Sequence, residues 1–122
     1  MQGRLTEASE LLARGCAITE DSPDPLQWLR LSVHRTELEL DRGTGAAGEL
    51  LEAVRRRLAG RPEFAAEPTG MEITGLVMVL EARIASRQGR PGEALRILPE
   101  AIRLFDEIDA LDEAGEARLR AA

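Results

Sequence analysis

Chemistry in this chain of 122 residues could sit in few places: one histidine, one cysteine, one arginine run and one acidic run. His34 is the only histidine, so a nucleophilic triad or a histidine metal site would have to be built around it. It lies mid-helix in a segment that reads as packed, and is read as structural or surface. Cys16 is the only cysteine, which rules out a disulfide within the chain. A reactive thiolate needs a helix N-terminus or nearby cations. Cys16 falls near a helix C-terminal end, with Arg14 as the local cation, and reads as a small semi-buried side chain. Arg55, Arg56 and Arg57 fan around a helix at roughly 100° per residue, so one packs its stem and the others are solvated. Asp106, Glu107, Asp109, Asp112, Glu113 and Glu116 lack the glycine and the ligand spacing of a calcium loop, and read as a solvated connector. Neither glycine-rich phosphate loop pattern occurs. These residues point to no enzyme, no metal and no cofactor.

Composition narrows the classes further. The formal charge is −6 and the pI about 4.9, which sets the chain against a phosphate backbone. Trp28, Phe64 and Phe105 are the only aromatics, too few for a base-stacking platform. No nucleic-acid binding is expected. All 16 basic residues are Arg, and Lys, Asn and Tyr are absent. Those three use A/T-rich codons, so the coding sequence reads as one from a high-G+C bacterial genome. The lone cysteine and the absence of a basic-then-apolar leader fit a cytoplasmic location. The longest apolar run, Ile73 to Leu80, is far shorter than the ~20 residues of a membrane span.

The elements that must position these residues are helices, since no stretch alternates with period two. Six are predicted. The first spans about 5–19, with Ala8, Leu11, Leu12 and Ile18 on its apolar stripe and Gly15 in the slot between. Asp24 and Pro25 open the second, about 25–42, as N-cap and first helical residue. It is apolar on two sides, with Leu26, Leu29, Val33 and Leu40 against Trp28, Leu31 and Leu38, and so should be packed on two sides. Gly43 ends it. The third spans about 45–59 and stops at Gly60 and Pro62. Thr69 and Glu72 predict a capping box at the start of the fourth, about 70–88. The fifth runs from Pro91 to about 108 with Ala94, Leu95, Leu98, Ala101, Ile102 and Phe105 in its stripe, and Pro99 should kink or split it. A weak sixth helix, about 112–122, has only Ala114, Ala117, Leu119 and Ala121 to bury.

A repeat links these helices. GRLTEASELL at residues 3–12 is echoed by GRPGEALRIL at 89–98, 86 positions later. Gly3, Ala8, Leu12 and Gly15 match Gly89, Ala94, Leu98 and Ala101, the last as small for small. The glycine makes an interhelical turn, and the small residues let helices approach closely. Ala47, Leu51 and Val54 form a degenerate middle copy, which gives units of about 39–47 residues. The expected fold is all-α: a single helical-repeat domain over 1–122, with antiparallel helix pairs at about 25–60 and 70–108 and a half-pair at each end. Those half-pairs suggest a fragment of a longer chain.

Residues 80–105, LEARIASRQGRPGEALRILPEAIRLF, resemble a tetratricopeptide repeat: Ala82 fits its small first-helix residue, and Gly89, Ala94, Leu98 and Ala101 fit its turn and second helix. The family's large aromatics are missing, and the units are longer than usual. Residues 89–121 are also similar to the repeat regions of large bacterial signal-responsive transcriptional regulators. The resemblance implies a short stacked α-solenoid acting in protein–protein interaction, with a protein or peptide partner. In such a solenoid the groove is lined by first-of-pair helices, which singles out Arg30, Glu37, Asp41, Arg83 and Arg87 as partner-binding. Two other readings stand beside it: a signal-sensing or autoinhibitory segment of a regulator, and a self-associating bundle whose terminal half-pairs form a homodimer.

Overall fold

The computed structural model describes the backbone of residues 2–121 and the side chains of residues 3–111. The described residues form five α-helices and one short 3-10 turn: α1 (Gln2–Thr19), α2 (Leu26–Arg42), α3 (Ala47–Ala59), the 3-10 turn (Pro62–Ala66), α4 (Pro68–Arg87) and α5 (Pro91–Ala121). The chain is all-α, as the helical periodicity predicts, and divides into two compact units, Met1–Gly60 and Arg61–Ala122.

In the first unit α2 lies between α1 and α3, packed on two sides as expected, though its side toward α1 carries Ser32 and Glu39 as well as Leu31. Both pairings are antiparallel. Cys16 meets Ser32 near the α1–α2 turn, and Ser9 meets Glu39 at the far end. Between α2 and α3, Thr44 contacts Glu39 at the turn, while Arg57 reaches back to Trp28. α2 begins at Leu26 with Pro25 rather than Asp24 as N-cap, while Asp24 Oδ1, one residue further out, accepts the Leu26 N–H at 3.0 Å. Gly43 ends α2 in the left-handed region (φ 69°). Its N–H donates to the Leu40 carbonyl and that of Thr44 to the Glu39 carbonyl, a Schellman closure. The core holds Leu29, Val33, Leu40, Ala47, Leu51 and Val54.

The second unit is the α4–α5 hairpin with the 3-10 turn packed on α4. Gly89 (φ 76°) closes α4 the same way, with N–H groups of Gly89 and Arg90 on the carbonyls of Ser86 and Ala85. Ala82, Ala85 and Ala94 form a buried cluster beside that turn, with Ile97 and Leu98 against it. At the other end, the Phe105 ring covers Gly75 so closely that an added Cβ would sit 2.8 Å from its tip.

Several expectations are corrected. The α1 stripe is rotated: Ile18 is 81% exposed and Leu11 66%, while Cys16 is buried and Ala8, Ser9, Leu12 and Ala13 half-buried. In α5, Leu95 (71%) and Ile102 (58%) face outward rather than inward. The Thr69–Glu72 capping box does not form, because α4 begins two residues earlier, with Glu67 as N-cap and no side-chain capping bond. Pro68 occupies the first helical position instead, where its missing N–H costs nothing. Pro99 does not split α5. It is exposed, one turn after exposed Leu95, so water can reach the carbonyl its ring leaves unpaired. Buried Ala94 and Ala101 anchor the turns on either side against α4. The sixth helix is not separate either, since the backbone is one helix from Pro91 to Ala121, and Asp106 to Asp109 lie within it rather than in a connector. The side chains of Ala114, Ala117, Leu119 and Ala121, and of Asp112, Glu113 and Glu116, lie outside the described residues.

Candidate functional site

The residues singled out for partner binding fall in the two units separately. On α2, Arg30, Glu37 and Asp41 are all exposed, and their spacing of seven and four places them in one row, with exposed His34 inside it. Asp41 also lines a shallow cleft with Leu5, Thr6, Arg42 and Thr44. On α4, Arg83 is half-buried and Arg87 exposed, one turn apart. Asp41, Arg83 and Arg87 are each held by an interaction within the chain.

The most built-up polar arrangement is one that hydrophobic periodicity passes over. Ser32, Thr36 and Glu39 form a buried row along α2, at i, i+4 and i+7. Each is satisfied. Thr36 Oγ1 donates to the Ser32 carbonyl at 2.7 Å, and Ser32 Oγ lies 3.5 Å from Cys16 Sγ. Glu39 is 6% exposed and accepts from Ser9 Oγ (2.6 Å), Thr44 Oγ1 (2.6 Å) and Arg42 Nη1 (2.9 Å). The Ser9 and Thr44 hydroxyls, with help from Arg42, hold the Glu39 carboxyl below its usual range against the opposing effect of burial. The row faces α1, whose Ser9 and Cys16 are also seven residues apart. Matching seven-residue spacings of small polar side chains, Ser9/Cys16 and Ser32/Glu39, are the sequence signal that could have found it.

The same helices bound a cleft of about 230 Å³ in the first unit. α1 supplies Ala13, Cys16 and Ala17; α2 supplies Trp28, Ser32 and Arg35; α3 supplies Leu50 and Ala53. Arg57 braces two of the lining residues: its guanidinium stacks 4.3 Å from the Trp28 ring centroid and donates to the Glu20 carbonyl. Arg57 is thus the member of the arginine run that packs, while exposed Arg55 and Arg56 pair with Glu52. Arg35 differs from both, because its Nε is buried with no hydrogen-bond partner. Cys16 and Ser32 meet at the cleft's inner edge, and His34 is exposed on another side of α2.

In the second unit, Ala65, Met71, Thr74, Met78 and Leu104 line a mostly apolar pocket of about 290 Å³, with Glu100 and Arg103 beside it. Among the described residues no cluster of three or more His, Cys, Asp or Glu side chains could hold a metal ion, and no helix is long and apolar enough to cross a membrane. No protein-family model, curated protein or solved structure matches this chain.

Proposed function

We propose that this chain is a non-enzymatic protein–protein interaction module of tetratricopeptide-like type. The observation that carries this reading is the exposed row Arg30, Glu37 and Asp41 on α2, a helix held by α1 on one side and α3 on the other. A row that runs from one positive to two negative side chains on a packed helix offers a partner fixed positions at little ordering cost. The recurrence of small residues adds support. Ala8, Leu12 and Gly15 are half-buried in α1, and their counterparts Ala94 and Ala101 are buried in α5, with Leu98 half-buried. Gly15 lets α1 approach α2 until a Cβ there would meet Leu31 at 3.1 Å.

Peptides selected on the whole chain from a random display library test the reading. They are expected to lose binding to a variant carrying Arg30→Glu, Glu37→Arg and Asp41→Arg with unchanged helicity. Selected peptides that bind the variant equally well would remove the row from the reading. The second reading, a sensing segment of a bacterial transcriptional regulator, is supported by the wording of residues 89–121. It predicts a reading frame that continues into a nucleotide-binding switch domain and a DNA-binding domain.

A further inference from the structure

We propose that the cleft between α1, α2 and α3 is a binding site for a small monocarboxylate with an apolar body, anchored by Arg35. This goes beyond the interaction reading and does not depend on it. The starting point is a charge without a counter-charge. Arg35 is half-buried on α2 and lines the cleft. Its Nε is sealed from solvent with no acceptor, and among the described residues no carboxylate pairs with it, in a chain of 22 acidic residues. Buried polar groups left unpaired are rare and costly, and guanidinium is the most demanding of them because it carries five donors. Its planar fork matches the two oxygens of a carboxylate, which the terminal Nη groups would take with parallel hydrogen bonds, giving the charge a counter-charge.

The rest of the lining selects among anions. Ala13, Ala17, Leu50 and Ala53 are small or apolar, and the Trp28 ring stands among them. A bare oxyanion would leave these walls wet, whereas a short alkyl or aryl group would cover them. The volume of about 230 Å³ lies below the roughly 300–1,000 Å³ of pockets for drug-sized ligands, so the occupant is small. Ser32 Oγ and Cys16 Sγ are spent mainly on each other, which leaves Arg35 as the anchor. Glu20 also lines the cleft, and its charge disfavours di- and trianions.

Trp28 is the only tryptophan, so its emission reports directly on the cleft. Hexanoate titrated into the full chain to about 20 mM is expected to give a saturable emission change. Arg35→Gln should weaken the apparent affinity roughly tenfold or more, the weight of a charge-assisted hydrogen bond. Ala53→Met fills the cleft without touching the charge and should weaken it comparably, which keeps the test decisive if Arg35→Gln fails to fold. Hexanol, with the same body and no carboxylate, should bind much more weakly. A flat titration with hexanoate overturns the proposal. So does an equal response to hexanol, or hexanoate affinity unchanged in Arg35→Gln or Ala53→Met.

Discussion

Ser9 Oγ on α1 donates to Glu39 Oε1 on α2 across 2.6 Å and 30 residues of sequence. The same carboxylate accepts from Thr44 and Arg42, and the Glu39 carbonyl accepts from the N–H groups of Gly43 and Thr44. One buried glutamate therefore ties the middle of α1, the end of α2 and the turn into α3.

That arrangement makes the first unit acid-sensitive. The Glu39 carboxyl titrates below its unfolded value in the folded chain. Its contribution is therefore fully present above the unfolded pKa of about 4.3 and is lost as pH falls through the lower folded value. Glu39→Gln is expected to cost about 1–3 kcal/mol at pH 7 and to flatten the loss of stability below about pH 5. Urea midpoints at neutral and acid pH measure both. Parallel pH profiles for the two chains would show that Glu39 is not the group responsible.

Gly70 sits beneath the 3-10 turn, where a Cβ would lie 1.8 Å from the Phe64 carbonyl oxygen. Backbone cannot swing aside as a side-chain tip can, so Gly70→Ala is expected to cost about 1–3 kcal/mol. Gly48, helical and exposed with nothing within 4 Å, is the control. Gly48→Ala should gain roughly 0.5–1 kcal/mol from helix propensity. Thermal melts that rank the two variants the other way would remove the close approach at Gly70.

Pro99 is tolerated in α5 rather than required by it. Pro99→Ala restores an N–H to the Leu95 carbonyl and should stabilise by about 2 kcal/mol, the propensity gain less the freedom returned to the unfolded chain. A lower melting temperature for the variant would show that the proline shapes α5 in a way its neighbours depend on.

Ala94 packs with Ala82 and Ala85 beside the α4–α5 turn and is 7% exposed. Ala94→Arg forces a long charged side chain into that contact, and a loss of about 2–4 kcal/mol is expected. Leu95→Arg, one residue on at an exposed position, should change stability by no more than about 0.5 kcal/mol. Equal effects at the two positions would contradict the assigned face.

Local pattern settled much of this protein. Helical periodicity, with Gly43 and Gly89 as left-handed stops and Asp24 and Pro25 as a start, determined that the chain is helical and where it turns. The spacing shared by Ala8 and Ala94 marked residues that face a neighbouring helix. Each of these signals acts within a turn or two of chain, so each is written in consecutive residues. The tertiary structure decided what depends on the partner. It turned Leu11 and Ile18 outward and Ser9 and Cys16 inward, because the face of α2 that meets α1 is the polar row of Ser32, Thr36 and Glu39. It carried α5 through Pro99, because packing on both sides outweighs one lost hydrogen bond. It also left Arg35 in a cleft lined by three helices, a position no local spacing specifies because its walls come from residues as far apart as Ala13 and Ala53.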